Sequence, residues 1–159
     1  MALKFVLPLL AAAVVMPAAA AAAQSGPAAV MAVVHQFVDG FNRGDTKAAL
    51  AACASPASII DEFAPHHWDG PNACADWARD LDAANKQAGI TGGFVALGRP
   101  WILDVSGDRN GNYAYVVIPA SYAYEVHGTP QKESGSIFTL ALKTTPAGWR
   151  IVAWSWAKH

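Results

Sequence analysis

Charged side chains are scarce in this 159-residue sequence, and no stretch of it is strongly basic or acidic. Asp, Glu, Lys and Arg make up 14% of the residues, with 12 acids against 11 bases. There is no basic stripe, RNA-binding motif or charge run, and this absence argues against a nucleic-acid partner.

Metal-binding spacings are absent as well. The sequence has 5 histidines, but no His-x-His or His-x-x-x-His pair and no obvious third ligand near His66 and His67. A metal site needs several such ligands at defined spacing. We therefore expect no metal and no other cofactor.

Long apolar runs are confined to the N-terminus. Lys4 precedes an apolar segment from Phe5 to Met16, and an alanine tract ends at Ala23. This order is typical of a secretory signal peptide, and its apolar core is shorter than the roughly 20 residues that span a bilayer. We predict a signal over residues 1–23, cleavage near Ala23, export to the periplasm or beyond, and one domain over 24–159 without a membrane span.

Cysteine is equally sparse, since Cys53 and Cys74 are the only two. An even number of cysteines in an exported chain favours a disulfide, although two small buried thiols are the alternative. The bond would close a loop of about 20 residues and stabilise the fold by about 3 kcal/mol in the chain-entropy treatment.

The first half of the domain has helical periodicity. Pro27 suits the first turn of a helix whose apolar stripe ends near Phe41. A second helix is predicted from Thr46 to Cys53, stopped by Ser55-Pro56. A third helix is predicted to begin at Pro71 and to end at Gly89.

The second half changes to the two-residue period of strands, and helices followed by antiparallel strands predict an α+β layer. We expect turns over 65–70 and 108–111, and a bend or bulge at Pro119 because proline cannot donate to a ladder. The predicted strands cover residues 58–63, 94–105, 113–127, 131–143 and 149–157.

The N-terminal motif resembles the opening of an NTF2-like (SnoaL-like, ketosteroid isomerase-like) domain. The residues that carry the resemblance are Phe37, Asn42, Gly44, Asp45 and Asp61. The resemblance implies a cone of three N-terminal helices packed on a curved antiparallel or mixed sheet, with a pocket enclosed between them. Homodimers are frequent in this superfamily, so it also implies a homodimer.

By the same resemblance, Asp61 takes the position of the catalytic base, and burial beside an apolar pocket would raise its pKa. His66 is the second catalytic candidate, because a nearby histidine could pair with this acid. The steroid isomerases also hold their enolate with a tyrosine and a protonated carboxyl. Here those positions hold Phe37 and the region of Ser136-Ile137, which supply neither the tyrosine nor the acid. The steroid isomerase mechanism is therefore not expected.

The predicted pocket accepts an apolar small molecule. Trp154 and Trp156 share one face of the last strand, and the pattern does not settle whether that face lines the pocket. Glu133 is expected to be solvated. The residues predicted to line the pocket are Phe37, Phe41, Trp77, Tyr122, Tyr124 and Val126.

Three functions fit this pattern. The first is a cofactor-independent isomerase, cyclase or hydratase that uses Asp61 as acid and base. The second is a domain that binds a small molecule without chemistry. The third is an interaction module that dimerises through its open sheet.

Overall fold

The computed structural model describes residues 26–108 and 111–158. The predicted signal, residues 109 and 110 of the predicted turn, and His159 lie outside the described residues. The elements are α1 (Pro27–Asn42), α2 (Thr46–Leu50), β1 (Cys53–Ile60), β2 (His67–Gly70), α3 (Ala73–Ala88), β3 (Ile90–Leu97), β4 (Trp101–Asp108), β5 (Gly111–Val126), β6 (Thr129–Thr145) and β7 (Gly148–Ala157).

The strands form one 7-stranded mixed sheet in the order β2-β1-β7-β6-β5-β3, with β4 also paired to β5. The β1–β7 pair is parallel, and every other pair is antiparallel. The three helices pack on one face of this curved, open sheet, as the α+β prediction required. Alternating residues of β6 and β7, among them Leu140 and Ile151, are fully buried in the core beneath the helices.

The corner between α1 and α2 depends on three residues: Gly44 and Asp45 of the motif, and Gly40. Gly44 has a φ of 68°, a left-handed conformation that glycine adopts without steric cost. The side chain of Asp45 accepts a hydrogen bond from the Ala48 amide at 3.0 Å and so caps α2. Gly40 allows the two helices to touch, because a Cβ there would come within 2.6 Å of the Ala49 nitrogen.

Asn42, at the end of α1, ties this corner to the sheet. Its side-chain amide donates to the Val95 carbonyl at 2.8 Å, and its carbonyl accepts from the Val95 amide at 2.7 Å. The contact lies beside a register shift between Thr91 and Phe94 in the β3–β5 ladder. Asn42 therefore bonds the backbone amide and carbonyl of Val95 on the side of β3 where no neighbouring strand does so.

The predicted disulfide is confirmed. Cys53 at the start of β1 and Cys74 in the first turn of α3 are bonded, with an S–S distance of 2.16 Å. The bond fastens α3 to the parallel part of the sheet.

Two boundaries near β1 differ from the prediction. α2 ends at Leu50, and β1 begins at Cys53, because the chain there already pairs with β7: the Ile151 amide donates to the Ala52 carbonyl at 2.9 Å. Pro56 lies within β1, at the register shift between Cys53 and Ser58, where no ladder bond is required of it.

Three further predictions about strands were wrong. Part of the predicted 65–70 turn is the edge strand β2, which pairs with β1.

The predicted strand 94–105 is two strands, β3 and β4, which pair with successive halves of β5. After β3, Gly98 still donates to the Pro119 carbonyl at 2.7 Å, but Pro100 cannot donate to continue the ladder. The bend or bulge predicted at Pro119 is wrong in position: Pro119 pairs in register with Ile137, and the irregularity of β5 lies between Ala120 and Tyr122.

Candidate functional site

A cavity of about 370 Å³ lies between the concave face of the sheet and the helices α1 and α3. Its volume falls in the range that small-molecule sites occupy. Five of the six side chains that the sequence suggested line it: Phe37, Phe41, Trp77, Tyr122 and Tyr124. The sixth, Val126, is not among the lining residues. It ends β5, and its ladder partner Ile90 supplies the wall at that point.

Two of the three tryptophans of β7, Trp154 and Trp156, line this cavity. Trp154 is buried, and its ring packs edge-on against Trp77 with centroids 4.8 Å apart. Ala153 and Ser155, which alternate with these tryptophans along β7, lie on the outer face of the sheet, beside a shallower hollow. The register left open by the sequence is therefore resolved, with the aromatic face of β7 turned inward.

Asp61 follows β1 directly, and its carboxylate lines the cavity. One oxygen accepts a hydrogen bond from the Trp77 indole N–H at 2.8 Å, and the other accepts one from the Glu62 amide at 2.7 Å. Burial raises the pKa of Asp61 above its usual 3.8, while the bonds from Trp77 and Glu62 oppose that rise. The result is an oriented carboxylate beside the aromatic side chains of the cavity, with spare lone pairs on both oxygens.

His66 lies outside the cavity. It is exposed, has a φ of 71°, and its imidazole Nδ1 is 3.2 Å from the backbone carbonyl oxygen of Asp61. The Asp61 amide in turn donates to the His66 carbonyl at 3.1 Å. The two residues thus close the turn between β1 and β2, and the Asp61 carboxylate contacts Trp77 where a histidine partner was expected. His67 is also exposed, 3.2 Å from the Ser58 hydroxyl.

The steroid-isomerase donor positions are filled differently here. Phe37 stacks within the aromatic wall, with its ring centroid 5.8 Å from that of Trp77, and it carries no donor. Ser136 is 1% exposed, and its hydroxyl has no hydrogen-bond partner among the described residues. It is not one of the residues that line the cavity.

A polar network at the cavity was missed by sequence reasoning. Lys158 forms ion pairs of 2.9 Å with both Glu62 and Glu133, and the Tyr124 hydroxyl donates to the same Glu133 oxygen at 3.0 Å. The hydrogen bond to Glu133 is the main factor that raises the pKa of Lys158. Contrary to the prediction that Glu133 is solvated, only 19% of its side chain is exposed.

A signal for Glu133 was available in the sequence. A two-residue turn at His127-Gly128 sets Val126 opposite Thr129, and the same register places Tyr122 opposite Glu133. Lys158 gave no such signal, because it meets Glu62 and Glu133 only through the strand order β1-β7-β6, which joins segments far apart in the sequence.

Three buried polar atoms of the cavity wall have no hydrogen-bond partner within residues 26–108 and 111–158. They are the Tyr122 hydroxyl, Glu133 Oε2 and Trp154 Nε1. Burial also raises the pKa of Tyr122, which keeps its hydroxyl protonated and able to donate. An apolar cavity with a few unsatisfied polar groups is the usual form of a small-molecule site.

The same ranges contain no group of three His, Cys, Asp or Glu side chains that could hold a metal ion. They also contain no helix that is both long and apolar enough to cross a membrane.

No protein-family model matches this sequence, and no curated protein matches it either. Solved structures do. A ketosteroid isomerase-like protein from Erwinia carotovora atroseptica aligns with a TM-score of 0.64 at 15% identity, over 82% of this chain and 94% of that one. An NTF2-like protein with a cystatin-like fold from Novosphingobium aromaticivorans aligns with a TM-score of 0.60 at 22% identity, over 80% and 77%.

A hexachlorocyclohexane dehydrochlorinase, LinA type 2, aligns with a TM-score of 0.67 at 11% identity, over 83% of this chain and 84% of that one. The resemblance read from the sequence is thus confirmed at the level of fold. The chain has the NTF2-like cone fold.

Proposed function

We propose that this protein binds a small, mainly apolar molecule in the cavity and that Asp61 moves a proton on it without a cofactor. The observation that carries the proposal is the position of Asp61, an oriented carboxylate on an aromatic wall with a pKa raised by burial. A carboxylate whose pKa moves towards neutrality is a better proton shuttle than a solvated one.

The reaction class that suits this site is an isomerisation, cyclisation, hydration or elimination that begins with proton transfer at an activated carbon. Similar folds bear the names ketosteroid isomerase-like protein and hexachlorocyclohexane dehydrochlorinase, which supports acid/base chemistry on apolar molecules. The donor pair of the steroid isomerases is not reproduced at Phe37 and Ser136, so a steroid isomerase in particular is not proposed.

Asp61→Asn tests the catalytic part. Against a panel of conjugated ketones and epoxides, the variant should lose turnover by a factor of about 100 or more, the range that general acid–base groups supply. It should still bind an apolar probe, seen as a rise in melting temperature. Asp69→Asn, which changes an exposed carboxylate on β2, is the matched control. Unchanged turnover in Asp61→Asn would refute the assignment.

A second candidate is ligand binding without catalysis. It is favoured by the two hydrogen bonds that already engage the Asp61 carboxylate, and by the lack of a donor at Phe37. Under this alternative, wild type and Asp61→Asn bind apolar probes alike, and the parent protein turns over no member of the panel.

We also propose that the protein is exported, with residues 1–23 as the cleaved signal. The Cys53–Cys74 bond supports this, because disulfides persist mainly in oxidising compartments.

Finally, we propose that two copies associate through the outer face of the sheet. Ile60 and Tyr115 are 56% and 44% exposed there and flank a shallow hollow. Light scattering should show a dimer that Ile60→Glu weakens, and a monomeric parent at high micromolar concentration would exclude it. Trp154 and Trp156 are unsuitable probes of this interface, since both line the inner cavity.

A further inference from the structure

Two of the unpartnered polar atoms belong to neighbouring residues on one wall of the cavity. Tyr122 on β5 and Glu133 on β6 are ladder partners, and both line the cavity. Directly opposed residues project from the same face of a sheet and lie side by side. The Tyr122 hydroxyl and Glu133 Oε2 are both buried, yet neither finds a partner among the described residues. Such atoms are costly to leave unpaired, so they indicate where a ligand's polar group binds.

The surrounding contacts hold these two atoms in place. The Tyr124 hydroxyl and the Lys158 ammonium both bind Glu133 Oε1, at 3.0 and 2.9 Å, and so leave Oε2 free. The Tyr124 ring stacks on Tyr122 with centroids 4.9 Å apart, and the Tyr122 hydroxyl lies against Gly93 of β3, where a Cβ would come within 2.5 Å of it. These two contacts fix the direction of the Tyr122 side chain. The pair is therefore preorganised, which lowers the cost of binding.

The donor and acceptor characters of the pair restrict the ligand group. Glu133 Oε2 only accepts, whereas the Tyr122 hydroxyl can donate. A ligand carboxylate would be repelled by Glu62 and Glu133, and an ammonium would compete with Lys158, which already pairs with both. A carbonyl could accept from Tyr122 but would leave Oε2 unsatisfied. Among neutral groups, a hydroxyl is the smallest that both accepts and donates through a single atom, so it can satisfy both.

We infer that the ligand is an apolar alcohol or phenol whose hydroxyl accepts a hydrogen bond from Tyr122 and donates one to Glu133 Oε2. This inference rests on the proposed small-molecule function and defines the ligand class for the same cavity. It assigns Tyr122 and Glu133 as the residues that select the ligand, separate from Asp61, which acts on it.

Three matched probes test the inference in titration calorimetry: 2-naphthol, its methyl ether and naphthalene. They share an apolar body, but only the naphthol both accepts and donates a hydrogen bond. Wild type should bind 2-naphthol at least about tenfold more tightly than naphthalene, because a hydrogen bond to a charged group adds that much affinity or more. The methyl ether, which can accept from Tyr122 but cannot donate to Glu133, should bind less tightly than the naphthol.

Two variants separate the contributions. Tyr122→Phe should reduce the preference for the naphthol over naphthalene and leave naphthalene binding unchanged. Glu133→Gln should remove the preference for the naphthol over the methyl ether. Tyr115→Phe removes a hydroxyl from the same strand outside the cavity, and it should bind all three probes like wild type. If Glu133→Gln does not fold, Tyr122→Phe and the probe series still decide the question.

The outcomes distinguish this inference from the proposed function. Equal binding of the three probes to wild type, or a naphthol preference that survives Tyr122→Phe, overturns the hydroxyl assignment and leaves an apolar site. Failure of all three probes to bind overturns the small-molecule function as well.

Discussion

At the scale of single residues, opposing interactions act on the pKa of Asp61. Burial disfavours its charged form, whereas hydrogen bonds from the Trp77 indole and the Glu62 amide favour it. Burial outweighs the bonds, and the pKa of Asp61 is raised. This predicts an unusual pH dependence of protein stability, because a hydrogen-bonded aspartate more often has a lowered pKa.

We predict that Asp61 lowers the stability of the wild type as pH rises. Between 3.8 and its raised folded-state pKa, the folded protein keeps a proton that the unfolded chain has lost, so unfolding releases a proton and stability falls with increasing pH. The free energy of unfolding of wild type minus that of Asp61→Asn should therefore decrease from pH 3.5 to pH 7, measured by urea denaturation. Asp69→Asn serves as the exposed control. A difference that grows with pH would contradict the prediction.

The site residues differ in how far the sequence could identify them. Asp61 was accessible because it ends a strand in a motif of fixed spacing. His66 was wrongly expected to pair with Asp61, because a residue with a left-handed backbone in a tight turn directs its side chain away from the side that its neighbours face. Glu62, Glu133 and Lys158 form a network between three separate elements, and no local pattern encodes such a contact.

At the scale of elements, the asparagine of the motif has a structural function. Asn42 makes two hydrogen bonds of 2.8 and 2.7 Å to the backbone of Val95, which also lines the cavity. This fixes the distance between α1 and β3 and so sets one dimension of the cavity.

We predict that Asn42→Ala destabilises the protein by about 2–3 kcal/mol, since it removes two partly buried hydrogen bonds of about 1 kcal/mol each and leaves backbone groups unpaired. Gln36→Ala is the matched control on the same helix, because the bond that the Gln36 side chain makes to the Ala48 carbonyl is exposed. It should cost less than about 0.5 kcal/mol. Chemical denaturation measures both, and equal effects would argue against the assigned function of Asn42.

The long, strongly periodic elements were predictable, and the short ones were not. α1 and α3 have an apolar stripe and clear terminal signals, so the sequence located both. The end of α2 and the start of β1 depend on parallel pairing with β7, about a hundred residues further along the chain. The division of 94–105 into β3 and β4 depends on the two halves of β5, which a local pattern cannot reveal.

The disulfide connects β1 to α3, the helix that supplies Trp77 to Asp61. Replacing Cys53 and Cys74 together by Ser should lower the free energy of unfolding by about 2–4 kcal/mol, because the unfolded chain regains the freedom of the closed loop. Reducing the wild type should cause a similar loss, and the double variant should be insensitive to reductant. A reductant effect of equal size in the double variant would show that the loss has another origin.

At the scale of the whole molecule, the curved sheet separates two surfaces for which we propose different uses. Its concave face, covered by α1 and α3, carries aromatic side chains and the groups proposed for ligand binding. Its outer face exposes Ile60 and Tyr115. Because neighbouring residues of β1 and β7 point to opposite faces, substitutions can be made on one surface while the other stays intact. Ligand binding and self-association are therefore separable by experiment.

The proposal of export gives the last prediction. When the full chain is expressed with its own N-terminus in a Gram-negative host, the periplasmic fraction should contain a protein that begins near Gln24, with Cys53 and Cys74 oxidised. Deleting residues 2–23 should leave the protein in the cytoplasm, where the bond is kept reduced and stability is lower by about 3 kcal/mol. Intact mass, with and without thiol alkylation, measures cleavage and oxidation together. An uncleaved, cytoplasmic full-length chain with free thiols would refute export, whereas the ligand-binding proposal would stand.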